Sequence, residues 1–521
     1  MDDEDRYEES TGWIARYLAI AAVALVIALA LLVNRNFWTD EAMLFVALKD
    51  QGWVRPGVPL AHYEQVLPYG DYVIDKLLVT AFGLHERVLR TPEYLLLVVT
   101  AWVTWRHTAK IAGAVAALAA VTFLCVNPTL TEQMTSFKHY GYEAFAAAVV
   151  AVVGYRAMDR GWRGAAVLTA LTVALIPFSN TVIFAGLAVA ATGVLRELVA
   201  RRGAWLRSSV PALTSAAIMA AVFGAWYATV AHPALAINQT VPLYESPGLG
   251  PTLLAYIDLL GVKTRTGLIV TLVLLGWFAY AVAWSSRRLG RFPRHAVVAA
   301  TATLGLFMAS GFVSFDKGRH LLFVLPLLAM ALGETLGALL SLWRAGARPQ
   351  RRLAWSLGAV AALLAPLGGA VVVNSPRPVL AHAVGHCSGV VVVQNTDAMA
   401  KIYAPTISGM PPLVDLTDDT SRSGAASSVT SAIFVDYDGY VASLADDLRQ
   451  LREPCLFLYA FAQLPRPTKA TGDPADWGYD VLFERIAAIP TELVKHGIDC
   501  AGKSEQDGVA LMTCRVASGD S

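Results

Sequence analysis

Three short stretches of this chain gather side chains able to do chemistry. The first is Phe37-Trp38-Thr39-Asp40-Glu41, where two adjacent carboxylates follow a long apolar run. Such a pair is suited to taking a proton, to holding a divalent cation, or simply to lying in water, and its spacing alone does not choose. The second is SFKHYGYE, Ser136 to Glu143, which sets Lys138, His139, Tyr140 and Glu143 at the start of another apolar run. Lys138 can bind a phosphate as a point charge with His139 and Tyr140 donating hydrogen bonds; the alternative is a lysine snorkelling at a membrane surface. The third is FDKGRH, Phe315 to His320, where Arg319 can grip an anionic head group bidentately or pair locally with Asp316.

The elements that must position these groups are membrane helices. Hydrophobic residues make up 56% of the 521 and charged residues 16%, with a mean hydropathy of +0.51, against about 25% charged residues in soluble proteins. Lys+Arg (41) and Asp+Glu (40) nearly cancel, so no overall attraction to nucleic acid is expected. Eleven apolar segments between Trp13 and Val373 are candidates to span a bilayer. The fifth, Gly164 to Phe178, and the sixth, Thr181 to Leu198, are parted only by Ser179 and Asn180. The last is Leu353 to Val373.

Basic residues fall in alternate loops: Arg106 and Lys110; Arg156, Arg160 and Arg163; Arg196 to Arg207; Arg287 to Arg294; Arg344 to Arg352. Those loops are expected in the cytoplasm. An odd number of spans from a cytoplasmic N-terminus, whose first apolar run is a retained anchor, then puts residues 375–521 outside the cell membrane. The expectation is a polytopic α-helical membrane domain over 1–374 and a soluble extracytoplasmic α/β domain over 375–521. The first outside loop, 34–87, is rich in Trp and Tyr and should form short helices along the outer surface. In the tail, Gly389 to Gln394, Ala432 to Val435 and Cys455 to Tyr459 read as strands, and Tyr440 to Leu451 and Tyr479 to Val494 as helices. Thr417 to Thr430 and Pro465 to Asp476 read as loops. Four of the five cysteines lie there, and the pairings expected are Cys500 with Cys514, closing a short hairpin-like loop, and Cys387 with Cys455.

The order of these motifs resembles the GT-C membrane glycosyltransferases, and more narrowly the family 39 group related to protein O-mannosyltransferases and the aminoarabinose transferase of lipid A. The similarity runs from about Trp13 to Leu342. It rests on FWTDEAML around Asp40, on Tyr63-Glu64-Gln65-Val66-Leu67-Pro68, on the Glu86-x-x-x-Arg90 spacing and on KHYGYE at Lys138. Glu143 stands where Asp is commoner in that group, and His320 where Tyr is usual. The resemblance implies transfer of a sugar from a polyprenyl-phosphate donor to an acceptor glycan, glycolipid or protein of the cell envelope, with inversion at the anomeric carbon. In that reading Asp40 is the base, and Glu41 positions the acceptor or a cation such as Mg²⁺ or Mn²⁺. Lys138, Tyr140, Arg319 and His320 receive the donor phosphate, and His139, Glu143, Tyr63, Glu64 and Gln65 line the substrate site. A transporter or lipid flippase is the competing class. Its binding groups belong near helix centres, whereas here the centres are nearly free of charge apart from Glu334.

Overall fold

The computed structural model of the chain describes residues 3–33, 37, 39–58, 60, 67–200, 205–233, 249–260, 265–310, 318–344, 376–393, 397–415, 437–459, 479–506 and 509–517. Helix α1 (Asp3–Val33) is followed by two short helices, α2 (Thr39–Asp50) and α3 (Tyr69–Phe82), and by the turn α4 (Glu86–Leu89). A helical bundle then forms from α5 (Thr91–Ala112), α6 (Ala114–Val126), α7 (Pro128–Gln133), α8 (Tyr140–Ala157), α9 (Gly161–Leu175), α10 (Val182–Ala200) and α11 (Trp205–Trp226). It continues through α12 (Leu249–Leu259), α13 (Arg265–Leu289), α14 (Arg294–Ala309) and α15 (Val324–Arg344). Ten of the eleven expected apolar segments are therefore largely helical where described, the end of the ninth, residues 311–314, lying outside the described residues. The eleventh, Leu353 to Val373, lies outside them.

Four stretches among the described residues are long and apolar enough on their own to cross a membrane: Gly12–Leu31, Val182–Ala200, Trp205–Ala231 and Val324–Trp343. That is fewer than the eleven expected, because helices such as α6 and α9 are only 13 and 15 residues long, short of the roughly 20 that a bilayer asks of an isolated span. The surface shows what surrounds the bundle. Leu25 is 60% exposed, Leu95 60% and Met308 71%, and Trp13, Leu29, Trp102, Val167 and Leu304 are similarly uncovered. Apolar faces left open on so many helices are stable in lipid and not in water. The chain is a membrane protein.

The fifth and sixth expected segments are separate helices. Pro177 has no N–H to continue α9, and the turn that follows is fastened by a 3.2 Å hydrogen bond between the Ser179 and Thr181 hydroxyls. The same turn receives α3, whose Gly70 N–H donates to the Pro177 carbonyl at 2.7 Å. Helices α2 and α3 are short helices of the kind expected within 34–87. Tyr72 stacks on Tyr69 at 5.8 Å and meets Trp53 edge-on at 6.2 Å.

The described strands all come after residue 388. They are β1 (Gly389–Val392), β2 (Leu413–Asp415), β3 (Pro454–Tyr459), β4 (Ile498–Gln506) and β5 (Val509–Val516), in the order β2-β1-β3-β5-β4. β1 runs parallel to β2 and β3, while β5 is antiparallel to β3 and β4. Helices α16 (Pro376–Ala381), α17 (Asp397–Tyr403), α18 (Tyr437–Arg449) and α19 (Tyr479–Lys495) accompany the sheet. Ala432 to Val435 and the two expected loops lie outside the described residues. Disulfides join Cys387 to Cys455 and Cys500 to Cys514, the second pair directly opposite in the β4/β5 register. The sheet region does not stand off from the rest. Its Val379, Tyr403 and Val391 share one buried cluster with Phe37, Leu44 and Leu48 of the α2 region.

Candidate active site

The site is assembled around a buried ion pair. Glu41, the third residue of α2, is fully buried, and Arg90, between α4 and α5, is 2% exposed. Arg90 Nε donates to Glu41 Oε1 at 2.8 Å and Nη2 donates to Oε2 at 2.5 Å. A third donor, the Phe137 backbone N–H, reaches the same Oε1. The Arg90 guanidinium lies 5.2 Å from the centre of the Phe37 ring, which stacks on Phe137 at 5.5 Å. From the sheet region, the Tyr403 hydroxyl accepts from the Phe37 N–H at 2.6 Å and donates to Glu86 Oε1 at 3.1 Å. Two charges taken out of water are stable only when matched this closely. The knot therefore fixes how the start of α2 meets the segment leading into α8.

That meeting is what brings the first two motifs together. Asp40 precedes Glu41 and Lys138 follows Phe137, so the two sit one residue either side of a direct hydrogen bond. Lys138 is buried, 6% exposed, in a turn where its N–H donates to Ser136 O at 2.9 Å. Tyr140, the first residue of α8, carries its ring 4.3 Å from His139 and 6.2 Å from His320. His320 belongs to the one-turn helix Gly318–Leu321 that also holds Arg319, so the third motif joins the other two. His139 Nε2 lies 4.0 Å from the Glu143 carboxylate. The backbones of Asp40 and Arg319 are placed by this arrangement; their side chains, and all of Tyr63, Glu64 and Gln65, lie outside the described residues.

Glu41 is engaged within the protein, where both of its oxygens accept hydrogen bonds from Arg90 or Phe137. Among the described residues no group of three His, Cys, Asp or Glu stands in metal-holding geometry.

Lys138 has companions that the sequence reading missed. Asp71 and Asp75 are four apart, hence on one face of α3, and both are buried, as is Glu93 on α5. Among the described residues both Asp71 oxygens, Asp75 Oδ2 and Glu93 Oε2 find no hydrogen-bond partner. Burial pushes the Asp71 carboxyl up to about 8, with Lys138 pulling the other way. Asp75 is raised by burial first and by the Asp71 charge second, again opposed by Lys138. Gly141 lets Glu93 approach α8: a Cβ there would stand 1.7 Å from Glu93 Oε2. Lys76, by contrast, is spent on structure, with its ammonium donating to the carbonyls of Leu48 and, at 2.6 Å, Gln51 at the end of α2. The missed signal is the Asp-x-x-x-Asp-Lys run of Asp71 to Lys76, legible only once that stretch is known to be helical.

In chemical terms the cluster offers a buried cation beside the first turn of an 18-residue helix, a setting that favours an anion. Around it stand carboxyl oxygens still able to accept from hydroxyl groups.

No family model matches the chain, and no curated protein matches it in sequence. Its fold, however, matches solved structures over nearly its full length. ArnT from Cupriavidus metallidurans in the apo state superposes with a TM-score of 0.52 at 14% identity, covering 97% of this chain and 98% of that one. The same protein bound to undecaprenyl phosphate gives 0.51 at 15% identity, covering 96% and 98%. This membrane protein therefore shares the fold of those two structures along nearly the whole chain.

Proposed function

We propose that the chain is an integral-membrane glycosyltransferase that moves a sugar from a polyprenyl-phosphate-linked donor to a cell-envelope acceptor, with inversion. One observation carries this reading: the hydrogen bond from Phe137 to Glu41, which sets Asp40 beside Lys138 although 98 residues separate them in the chain. The solved ArnT structure holding undecaprenyl phosphate supports the choice of donor, and the motif order supports the narrower family 39 relationship.

The reaction follows from these groups. The acceptor hydroxyl attacks the anomeric carbon as Asp40 takes its proton, within about 3.2 Å of that oxygen. The bond from the anomeric carbon to the phosphate oxygen breaks with its electron pair, and the polyprenyl phosphate departs as an anion. Lys138, Tyr140, Arg319 and His320, together with the first N–H groups of α8, stabilise that developing charge. Asp71, Asp75 and Glu93 accept hydrogen bonds from the hydroxyls of the bound sugar. Glu41 and Arg90 hold the frame that brings the backbones at positions 40 and 138 together.

In this reading residues 1–374 cross the bilayer about eleven times, with the arginine-rich loops in the cytoplasm. Residues 375–521 form an α/β domain on the outer side, in keeping with two disulfides, which persist in oxidising compartments. The test is Asp40→Asn in purified protein supplied with labelled polyprenyl-phosphate sugar and an envelope fraction. Transfer should fall by about 10²–10⁴-fold with the thermal midpoint unchanged. Transfer at the wild-type rate removes Asp40 from the mechanism.

A further inference from the structure

At the opposite end of α8 from Lys138, about 24 Å away at 1.5 Å per residue, the chain builds a second charged site. The turn from α8 into α9 is unusually tight. Gly161 has φ +54°, a conformation that favours glycine. A Cβ on Gly164 would lie 2.0 Å from the Ala157 carbonyl oxygen. The turn folds Arg156, Arg160 and Arg163 around one cavity of about 770 Å³, floored by Val153, Ala157 and Val167.

Among the described residues no acid balances the charges in this cavity. The nearby acid, Asp159, is already taken by two other arginines: Arg294 donates to it at 2.7 and 3.0 Å, and Arg196 pairs with it as well. No carboxylate lines the cavity, and among the described residues none pairs with Arg156, Arg160 or Arg163. Three planar guanidinium groups facing one space match a phosphate, which they engage through paired N–H donors. The walls add a second requirement. Val167 of the lining is 52% exposed and gives an apolar slope, and the neighbouring Trp162, 59% exposed, is an aromatic ring of the kind that sits at the membrane–water boundary. The end of one candidate span, Val182–Ala200, lies beside this turn, since its Arg196 reaches Asp159.

We infer that this cavity binds the phosphate headgroup of an anionic phospholipid, with the acyl chains lying along the exposed apolar face of α9. A free phosphate would use the arginines but leave the apolar slope uncovered. A zwitterionic lipid would bring its own cation against three others. This site is separate from the glycosyl-transfer centre, and its occupancy does not depend on that reading.

The test is native mass spectrometry of the full chain released from detergent after exposure to phosphatidylglycerol or phosphatidylcholine. Wild-type protein should retain one phosphatidylglycerol, and the triple variant Arg156→Gln, Arg160→Gln, Arg163→Gln should retain it at least about tenfold less. The control Arg287→Gln, Arg288→Gln should behave as wild type. Equal retention of phosphatidylcholine, undiminished retention in the triple variant, or complete displacement by millimolar inorganic phosphate would each overturn the inference. Should the triple variant not fold, a photoreactive phosphatidylglycerol applied to the wild-type chain decides. Crosslinks should map to 153–167, and crosslinks confined to other segments would count against the site.

Discussion

The Glu41–Arg90 pair makes the sharpest prediction, because its partners are named and its environment is dry. Removing one member, as in Arg90→Ala or Glu41→Gln, strands the other in a site where Glu41 is 0% and Arg90 2% exposed. Stranding a buried charge costs about 3–5 kcal/mol, and Arg90→Ala also forfeits the guanidinium contact with Phe37, about 1–2 kcal/mol when desolvated. The double variant Glu41→Leu, Arg90→Met replaces both charges with apolar groups of similar bulk. Among the described residues it leaves the Phe137 N–H without its acceptor, about 1–3 kcal/mol. The double variant should therefore be more stable than either single one, with a coupling well beyond the roughly 0.5 kcal/mol found between independent sites. The measurement is denaturant unfolding of all four proteins in the same detergent, followed by a sugar-transfer assay at matched folded fraction. Transfer should be reduced about 10²-fold in the double variant although its stability partly returns, since the alignment of Asp40 with Lys138 is lost. Strictly additive losses, or single variants within 1 kcal/mol of wild type, would refute the reasoning.

Three further outcomes follow from the same geometry. The Asp71 carboxyl, held up to about 8 against an ordinary 3.8, keeps a proton in the folded chain that the unfolded chain has lost. Stability contributed by that proton is present below about pH 4 and drains away as pH rises towards about 8; Asp71→Asn should flatten this slope in thermal unfolding followed from pH 5 to 8. Gly141→Ala drives a methyl into Glu93 Oε2, an overpacking cost of about 1–3 kcal/mol that Glu93→Ala in the same chain should largely relieve. In the sheet region, loop closure over 68 residues for Cys387–Cys455 and 14 for Cys500–Cys514 corresponds to roughly 4 and 3 kcal/mol. Differential thiol alkylation should accordingly find only Cys125 reactive after unfolding without reductant.

What the sequence disclosed, and what it withheld, has a physical pattern. The three motifs were legible because charges at the ends of apolar runs are conspicuous, and all three meet through Phe137, Tyr140 and His320. Arg90 was visible as a spacing from Glu86 and nothing more, since an ion pair across 49 residues leaves no local trace. Asp71 and Asp75 stayed hidden because short helices were expected somewhere in 34–87 without bounds: their shared face exists only once Tyr69–Phe82 is one helix. In the tail, β1 and β3 announced themselves through β-branched and aromatic runs. β4, with Gly502, Lys503, Ser504 and Glu505 at its centre, lacks such a run and becomes a strand because β5 pairs with it and Cys514 is tied to Cys500.

The adjacent acids of α2 show why position in a motif does not settle a role. Consecutive residues on a helix are set about 100° apart, so the neighbour of a carboxylate bound to Arg90 need not share its role, and the proposal gives Glu41 the frame and Asp40 the proton. Both substitutions should lower transfer strongly, which an activity screen alone would read as two equivalent carboxylates. Stability separates them: an amide at position 41 leaves a guanidinium uncompensated in the dry interior, whereas Asp40→Asn is expected to keep the wild-type thermal midpoint.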